Sequence, residues 1–577
     1  MERFGIVASI SGMKSRMALG DFVSAYLQKL GTTHLFGIPG DLVLRLFFRF
    51  GRKRGLRIVT FSHEPGVGFA ADGYARATGR IGVVCVTYGA GGHNMVNPLA
   101  GSFSERVPIL VISGGPGEEE RRLGALIHHQ AREIESQFRI FRELTCAAAV
   151  ISDPRTAAEA IDQVVRTMWL EQRPGYLEIH RDMVDRVIEV PRSIIEWDGH
   201  LAFGHSDQAR LDEAVRDTVA RLNAARSPLL VFGIEAHRYK LGDRIVELAE
   251  RVGAPVMTSV LGKGAFPMDH PLHLGVHIGP LSPKAICARV DAADLVVNIG
   301  ALMTDMNLGS RPSPSYDRER TIWAVGNRVD VSFHTYNQVM LRDYVRELLQ
   351  ARIRRHRQKV EYADNLNVKI HRRPDCLQVA EMLHEVNAFL ACRRNYMVVA
   401  ESGDMLFAGL DVRVPGRGGY LAQGYYASMG FGVPGALGAQ IGTGKRPLVL
   451  CGDGAFQMTG PEIAHAPRHR LNPIVLVMNN GGWGIFRPVA EREDLLCLPN
   501  WPYAELASAW GGNGWRVTSA AQLQQALLQA DANQSFCIIE VMIDQHDLSP
   551  VSRKYISASG KHGVQRPKRA IKKVPPV

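Results

Sequence analysis

Two short apolar runs in the last third of the chain each end in a compact polar motif. The run PLVLC leads into GDG at 452–454, and the run PIVLVM leads into NN at 479–480. Residues 455–472 between them are enough for one helix and its turns. This pattern predicts a strand, a crossover helix and a parallel strand, which places both motifs at the carboxyl ends of neighbouring strands. Open α/β sheets bind their ligands at that edge.

Similar patterns divide the chain into three α/β blocks. In the first block, 18–190, DFVSAYLQKL predicts an amphipathic helix that Gly31 ends, while HLFGIP, IGVVCVTY and PILVIS are typical of buried strands. In the second block, 205–350, the predicted strands PLLVFG, APVMTSV and DLVVNIG accompany the helical pattern KLGDRIVELAERVG. The third block, 375–550, contains the two polar motifs. We therefore predict an α/β protein with three doubly wound domains built on parallel sheets.

Both ends of the chain differ in composition from these blocks. Residues 1–17 and 557–577 are expected to be flexible. The net charge is +11, but from Arg553 onward there are eight Lys and Arg residues and no acid, so the rest of the chain carries only +3. A solvated basic tail is therefore favoured over binding to nucleic acid.

The composition also bears on whether the protein is membrane-bound, secreted or cytoplasmic. The 577 residues contain no apolar run near the ~20 residues that a membrane span needs. The first residues lack a cationic start followed by a continuous apolar region, so a secretory signal is not predicted. Eight dispersed cysteines without a C-x-x-C pair indicate reduced thiols and a cytoplasmic protein.

The two polar motifs carry groups that suit a hard cation. Asp453 offers a carboxylate and Asn480 an amide oxygen, and Mg²⁺ takes oxygen ligands that it usually shares with a phosphate. The flanking glycines would let the backbone approach that phosphate closely. The alternative is a Gly-Asp turn and an unrelated pair of asparagines on a loop.

Longer motifs extend the comparison over most of residues 18–550. The spacing of GDG and NN, together with HLFGIPGDL, SHEPGVGFAADGYARATG, VTYGAGGHNMVNPLAG and GYYASMGFGVPGALGA, resembles the pyruvate decarboxylase branch of the thiamine-diphosphate-dependent enzymes. The sequences of several motifs are similar to those of bacterial phenylpyruvate and indolepyruvate decarboxylases. The resemblance implies a pyrimidine-binding, a central and a diphosphate-binding domain. It also implies that Asp453, Asn480 and the carbonyl of Gly482 hold Mg²⁺ on the cofactor diphosphate.

The resemblance assigns further residues to the cofactor. It makes Glu64 the acid that activates the aminopyrimidine ring, Met429 the wedge between the two rings, and the carbonyl of Ala427 an acceptor for the ring amine. Read alone, Glu64 could be a helix cap and Met429 ordinary core packing. The cofactor-binding residues expected in this way are Glu64, Ser402, Asp404, Ala427, Met429, Asp453, Gly454, Ala455, Asn480 and Gly482.

Three residues indicate decarboxylation. The resemblance places Asp41 of GIPGDL and the pair His128-His129 above the thiazolium ring, where they would deliver a proton after CO₂ leaves. Histidine titrates near neutral pH, as this task requires. The alternatives are that Asp41 is an ordinary turn residue and that the two histidines are adjacent by chance in a surface loop.

One position departs from the family pattern. Many pyruvate decarboxylases have a glutamate six residues after the second asparagine, where this chain has Phe486. A phenyl ring transfers no proton, so we expect Asp305 in IGALMTDMN to substitute, unless Asp305 is only a helix cap. Phe486 and Trp483 would make the pocket more aromatic, which suits a large apolar substrate side chain.

The leading hypothesis is thus a thiamine-diphosphate- and Mg²⁺-dependent decarboxylase of a 2-oxo acid, with an aromatic acid such as phenylpyruvate or indolepyruvate favoured. A carboligase of the acetolactate synthase type is the first alternative, and a non-catalytic paralogue is the second. The resemblance also implies that the first and third blocks of different subunits build each site. The protein is therefore expected to be a homodimer or homotetramer.

Overall fold

The computed structural model describes residues 14–308, 317–371, 373–414 and 416–559. Three α/β domains follow one another along the chain, each built around one sheet. The strands of the N-terminal domain are β1 Lys14–Ala18, β2 His34–Gly37, β3 Arg57–Val59, β4 Gly82–Val86, β5 Ile109–Gly115, β6 Ala147–Ile151, β7 Gly175–His180 and β8 Val187–Pro191. Its helices are α1 Leu19–Lys29, α2 Leu44–Gly51, α3 Glu64–Thr78, α4 Ala90–Asn94, α5 Val96–Ser104, α6 Glu118–Arg122, α7 Ser136–Glu143, α8 Ala157–Glu171 and α9 Arg192–Glu196.

The N-terminal sheet has the order β3-β2-β4-β5-β7-β6, and all its strands are parallel. Strands β1 and β8 form a separate antiparallel pair, with Lys14 opposite Pro191. Residues 14–17, which the sequence pattern assigned to a flexible lead-in, therefore belong to a strand. Their backbone groups pair with a strand that is distant in sequence, and no local pattern reveals such pairing.

The central domain has strands β9 Pro228–Phe232, β10 Val256–Ser259, β11 His273–His277, β12 Leu295–Ile299, β13 Thr321–Val325, β14 Arg328–Val331 and β15 His334–Asn337. Its helices are α10 Gln208–Ala224, α11 Glu235–Arg238, α12 Gly242–Val252, α13 Lys284–Ala292, α14 Asp305–Leu308 and α15 Leu341–Gln350. The sheet order is β11-β10-β9-β12-β13-β14-β15. The first five strands are parallel, whereas β14 and β15 add an antiparallel edge.

The C-terminal domain has strands β16 Tyr396–Ala400, β17 Tyr420–Ala422, β18 Arg446–Gly452, β19 Ile474–Asn479, β20 Asn513–Val517 and β21 Cys537–Met542. Its helices are α16 Val379–Leu390, α17 Asp404–Gly409, α18 Gly432–Thr443, α19 Asp453–Thr459, α20 Ala466–His469, α21 Tyr503–Ala509, α22 Ala520–Ala532 and α23 Pro550–Ser559. All strands are parallel in the order β17-β16-β18-β19-β21-β20. The α/β architecture predicted for the three domains is thus confirmed.

The N- and C-terminal domains share one hydrophobic core. A continuous cluster of buried side chains includes Val84 and Val111 from the first sheet and Val449 and Val475 from the third. Helices α3 and α18 meet within it, and Phe69 packs edge-to-face on Phe431 with ring centroids 6.1 Å apart. The two domains that the resemblance assigns to the cofactor therefore form one packed unit.

Among the described residues, no helix is both long and apolar enough to cross a membrane. The basic tail begins inside α23, where Arg553 and Lys554 lie, and residues 557–559, expected to be flexible, also belong to this helix. The remaining tail residues, from 560 onward, lie outside the described residues.

Candidate active site

The two polar motifs lie side by side at one edge of the C-terminal sheet. Strands β18 and β19 are parallel neighbours, with Gly452 opposite Met478. Asp453 begins α19 directly after β18, and Asn480 directly follows β19. The predicted placement at neighbouring carboxyl ends is confirmed, although the connection consists of α19, a 3-10 helix Gly460–His465 and α20 rather than one helix.

The Asp453 carboxylate is held by backbone amides. Its Oδ1 accepts a hydrogen bond from Gly454 N at 2.8 Å, and its Oδ2 accepts one from Gly482 N at 2.9 Å. Burial raises the pKa of Asp453 to about 6, against these hydrogen bonds, which lower the pKa. The carboxylate is therefore charged at neutral pH and fixed in orientation, and a nearby cation would favour the charged form further.

Asn480 supplies an oxygen that the protein leaves unused. Its Oδ1 is buried and has no hydrogen-bond partner, whereas buried polar atoms in native proteins nearly always have one. The carbonyl of Gly482 accepts a hydrogen bond from Gly484 N at 2.8 Å and retains a second lone pair. A carboxylate, a free amide oxygen and a carbonyl form the all-oxygen set that Mg²⁺ prefers, so these residues fit the expected metal.

Gly482 is required by both conformation and space. Its φ is +143°, and a Cβ atom there would lie 1.9 Å from the carbonyl oxygen of Leu496. The next residue, Trp483, covers the motif, because a Cβ at Gly454 would lie 2.4 Å from the Trp483 ring. Ala455 is buried one residue further along α19.

Ser402 and Asp404 follow strand β16 at the same edge. Ser402 Oγ donates to the carbonyl of Ser428 at 3.0 Å, which ties it to the loop before α18. The buried Asp404 carboxylate accepts from the backbone N of Ser549 at 3.0 Å and from its hydroxyl at 2.5 Å. Asp404 thus anchors the residue preceding α23, a contact that the sequence did not predict.

Sequence reasoning missed Glu401. This fully buried carboxylate accepts hydrogen bonds from Ser402 N at 2.8 Å and Gly432 N at 2.7 Å, and burial raises its pKa to about 7. It joins the end of β16 to the start of α18. The available signal was an acid placed directly after the apolar run YMVVA.

The loop between β17 and α18 carries Ala427 and Met429. Ala427 has a φ of +56°, which is uncommon for a residue with a side chain and aims its carbonyl in a direction that ordinary backbone does not reach. Met429 is partly buried against the core that the N- and C-terminal domains share. The loop is also tied to the first domain, because Asn97 Nδ2 donates to Ser428 Oγ at 2.8 Å.

Glu64 is the first residue of α3, and Pro65 follows it in the first turn, where a proline costs the helix no hydrogen bond. Its Oε2 accepts a hydrogen bond from Asn94 Nδ2 at 3.0 Å, and its side chain is 14% exposed. Gly91 leaves room beside it, since a Cβ there would lie 3.1 Å from Glu64 Oε1. Glu64 is therefore held at the edge of the N-terminal domain with one carboxylate oxygen not used by Asn94.

Asp41, His128 and His129 form one exposed cluster, and their potential ligand atoms lie within 4.8 Å of one another. Asp41 Oδ2 is hydrogen-bonded to His128 Nε2, and Asp41 Oδ1 lies 3.7 Å from His129 Nε2. Partial burial acts to raise the pKa of Asp41, but the hydrogen bonds from His128 and Leu42 N and the charge of both histidines hold it below its ordinary value. The cluster therefore places two imidazole rings beside a carboxylate that favours its charged form.

A buried network supports the histidine pair. His129 has a φ of +68° and its backbone lies on Gly89, where a Cβ would come within 2.0 Å of the His129 carbonyl oxygen. Gln137 Oε1 accepts from Gly89 N at 2.7 Å, and Gln137 Nε2 donates to Tyr176 Oη at 2.6 Å. Tyr176 Oη donates in turn to Glu178 at 3.1 Å. Sequence reasoning missed Gln137, Tyr176 and Glu178, because only folding brings them close to Gly89 and the histidine pair.

Asp305 is the first residue of α14 and is exposed, with Oδ1 accepting from Met306 N at 2.9 Å. Met306 packs against a cluster that contains Phe407 and Val551 together with Ile485. Ile485 precedes Phe486, which is 55% exposed. The neighbours of Asp305 and Phe486 thus pack in one cluster, which brings the central and C-terminal domains together here.

The expected site residues of the N- and C-terminal domains form two groups in a single chain, and Asp305 belongs to the central domain. Asp453, Asn480, Gly482, Ser402 and the Ala427 loop belong to the C-terminal domain, and Glu64 and the Asp41 cluster belong to the N-terminal domain. Among the described residues, no hydrogen bond or ion pair joins Glu64 or the Asp41 cluster to Asp453 or Asn480.

Comparison with known proteins agrees with this division. Residues 17–139 match the thiamine pyrophosphate enzyme N-terminal TPP binding domain, 215–351 match the central domain, and 402–541 match the C-terminal TPP binding domain. The chain is 36% identical to an indole-3-pyruvate decarboxylase of Azospirillum brasilense over 94% of this chain and 98% of the relative. It is 30% identical to pyruvate decarboxylase 3 of Oryza sativa subsp. japonica over 92% of each chain.

The chain therefore belongs to the thiamine pyrophosphate enzymes, and its cofactor is thiamine diphosphate. Within that family it is a thiamine-diphosphate-dependent 2-oxoacid decarboxylase.

Proposed function

We propose that the enzyme converts an aromatic 2-oxo acid into the corresponding aldehyde and CO₂ without oxidation, using thiamine diphosphate and Mg²⁺. The observation that carries the proposal is the Asp41–His128–His129 cluster. Loss of CO₂ from a 2-oxo acid anion requires one proton to complete the aldehyde. An imidazole beside a carboxylate is a suitable proton donor near neutral pH.

Thiamine diphosphate, when bound, supplies the nucleophile and the electron sink that release of CO₂ requires. We assign Asp453, the free Oδ1 of Asn480 and the Gly482 carbonyl to Mg²⁺, with Ser402, Asp404, Gly454 and Ala455 lining the diphosphate. Glu64 is assigned to the aminopyrimidine ring, together with the Ala427 carbonyl and the Met429 side chain. The supporting observations are the unpaired oxygen of Asn480 and the left-handed backbone at Ala427.

We assign the second proton-handling role to Asp305, in place of the acid that Phe486 replaces. Its support is the buried cluster containing Phe407 and Val551, against which Met306 and Ile485 both pack. An exposed carboxylate at the start of α14 is free to turn toward a substrate, because its only hydrogen bond among the described residues is a local one to Met306 N.

An aromatic substrate is favoured by the side chains at the carboxyl edge of the C-terminal sheet. Trp483 covers Gly454, and the exposed Phe486 lies three residues further along. Aromatic walls suit an aromatic substrate side chain. The relative from Azospirillum brasilense, named an indole-3-pyruvate decarboxylase, gives the same indication.

We further propose a homodimer or homotetramer in which the N-terminal group of one subunit faces the C-terminal group of another. The supporting observation is that, among the described residues of one chain, no hydrogen bond or ion pair joins Glu64 or the Asp41 cluster to Asp453 or Asn480. We place the enzyme in the cytoplasm, since all eight cysteines are free, and we assign no nucleic-acid partner to the basic tail.

The test is incubation of the protein with thiamine diphosphate and Mg²⁺ and, separately, with phenylpyruvate, indolepyruvate and pyruvate, followed by mass spectrometry of the products. We expect one aldehyde and one CO₂ per keto acid, fastest for the aromatic acids. Faster turnover of pyruvate would contradict the aromatic preference. A hydroxyketone made from two keto acids would instead assign a carboligase, and a protein that binds no cofactor would be a non-catalytic paralogue.

A further inference from the structure

Two buried carboxylates, one from the C-terminal domain and one from the N-terminal domain, each accept hydrogen bonds from the backbone of the other domain. The first is Glu462, in the 3-10 helix that follows α19. Its Oε2 accepts a hydrogen bond from Ser62 N at 2.9 Å, and its Oε1 accepts one from His63 N at 3.1 Å. These are the two residues immediately before Glu64, so a side chain of the C-terminal domain holds the backbone that leads into α3.

The second is Glu105, which follows α5 in the N-terminal domain and is fully buried. Its Oε1 accepts from Tyr425 N at 2.7 Å and from Tyr426 N at 2.9 Å. These are the two residues immediately before Ala427. The other oxygen, Oε2, accepts from Arg76 Nη1 at 2.6 Å, which keeps the carboxylate oriented.

The contact made by Glu462 is built into its surroundings. A Cβ at Gly66 would lie 2.4 Å from Glu462 Oε1, so only glycine leaves space for the carboxylate. His465 Nε2 lies 2.8 Å from Ser62 Oγ, and the His465 ring stacks on Phe61 with centroids 5.4 Å apart. The segment after α19 therefore contacts the residues before Glu64 through both Glu462 and His465.

We propose that Glu462 and Glu105 are positioning residues for the aminopyrimidine ring of the cofactor. Each carboxylate fixes, from the opposite domain, the two amides that precede a residue assigned to that ring, namely Glu64 in one case and Ala427 in the other. The inference rests on the proposed function, because in the proposed oligomer one bound cofactor is the common ligand of Glu64 from one subunit and Ala427 from another.

The chemistry explains why carboxylates occupy both positions. Glu462 accepts its two amides on separate oxygens, whereas Glu105 accepts both on Oε1 and uses Oε2 for Arg76. Hydrogen bonds to a charged acceptor are shorter and stronger than neutral ones. The left-handed φ of Ala427 also needs external support, because a residue with a side chain leaves that region when its surroundings relax. Glu105 supplies this support one residue upstream.

The first test measures hydrogen exchange in the cofactor-free protein and its Glu462→Gln and Glu105→Gln variants. The control is Asp531→Asn, which changes a carboxylate that binds Tyr396 and Arg393 within the C-terminal domain. We expect Glu462→Gln to speed exchange about tenfold in the peptide containing 62–63 and to leave 425–426 unchanged, with the reverse for Glu105→Gln. Wild-type exchange at both amide pairs in folded variants would overturn the proposal.

The second test measures function in the same variants. We expect Glu462→Gln to lower kcat by about tenfold while the KM for the 2-oxo acid changes by less than about twofold, because Glu64 acts on the cofactor. Glu105→Gln should weaken binding of thiamine diphosphate, measured calorimetrically with Mg²⁺. If the wild type is active and both variants match Asp531→Asn in kcat and in cofactor binding, the inference is wrong. An inactive wild type would instead contradict the proposed function. Should Glu105→Gln not fold, Glu462→Gln decides the matter alone.

Discussion

Two neighbouring asparagines at the end of β19 have opposite roles. Asn479 is fully engaged, with Nδ2 donating to Glu540 at 2.8 Å and to Asn500 at 2.9 Å. Asn480 is buried as well, but its Oδ1 has no partner. The first asparagine therefore stabilises the sheet edge, while the second presents an oxygen whose desolvation only a ligand would offset.

We predict that Asn480→Ala weakens binding of Mg²⁺ and thiamine diphosphate by at least about tenfold and leaves the melting temperature of the cofactor-free protein almost unchanged, because no hydrogen bond of Oδ1 is lost. Asn479→Ala is the matched control and should lower the free energy of unfolding by about 1–3 kcal/mol. Calorimetric titration and thermal unfolding measure the two effects. A large loss of stability in Asn480→Ala would contradict the assignment of this oxygen to the metal.

The network below the histidine pair makes stability depend on pH. Burial raises the pKa of Glu178 to about 7, although Tyr176 and Arg121 act to lower it. Since the folded-state pKa lies above the unfolded value, the protonated form favours folding. The contribution of Glu178 is therefore complete below the unfolded pKa and is lost as pH rises to about 7.

We predict that Glu178→Gln flattens the fall in stability between pH 5 and pH 7.5 by about 2–3 kcal/mol relative to the wild type. Thermal or urea unfolding of both proteins at the two pH values measures this difference. Parallel pH profiles for the two proteins would show that Glu178 does not titrate in this range.

At the scale of elements, the contact between α3 and α18 decides where Glu64 lies. A Cβ at Gly73 would come within 2.0 Å of the Gly435 carbonyl oxygen, and one at Gly438 within 1.8 Å of the Ala70 carbonyl oxygen. The two helices thus touch through their backbones. Any larger side chain at these positions would separate the helices and shift α3, which begins with Glu64.

We predict that Gly73→Ala destabilises the protein by about 3 kcal/mol or more, because the obstructing atom belongs to a backbone that does not yield. Gly51→Ala, at the end of α2, is the matched control. A Cβ there would meet nothing closer than 3.6 Å, so the change should be neutral or stabilising by about 0.5–1 kcal/mol. Thermal unfolding monitored by circular dichroism compares the two, and equal effects would refute close backbone contact.

At the scale of the whole molecule, the two groups of site residues belong to domains that share a core. Among the described residues of one chain, however, no hydrogen bond or ion pair joins Glu64 or the Asp41 cluster to Asp453 or Asn480. The proposed assembly places the Glu64 of one subunit against the Asp453 of another. Symmetric oligomers commonly use such shared sites, and a closed dimer would contain two of them.

We predict that Glu64→Gln and Asp453→Asn, each inactive alone, complement one another. A heterodimer of the two variants, co-expressed with different tags, has one site with both residues intact and should show about half the wild-type activity. Decarboxylase assays of the purified heterodimer check this expectation. An inactive heterodimer would mean that both residues act within a single chain.

Sequence patterns predict the sheet edge well, because period and turn chemistry are local. The runs before Asp453 and Asn480, and Pro65 after Glu64, indicate both element type and boundary. The roles of Glu462 and Glu105, by contrast, do not follow from any local sequence pattern. Nothing near either residue in sequence marks it, since its partners lie 399–400 and 320–321 residues away.

By itself, the sequence determined three α/β domains and the edge that carries the polar motifs, because these follow from short-range patterns of side-chain polarity. It also indicated the family and the cofactor, through the resemblance of its longer motifs to those of thiamine-diphosphate-dependent enzymes. Only the tertiary structure decided that residues 14–17 form a strand, that Asn480 keeps a free oxygen, and that two carboxylates hold the backbone before Glu64 and Ala427. The physical reason is that pairing, burial and hydrogen-bond satisfaction depend on distant residues, and only the folded chain brings those residues together.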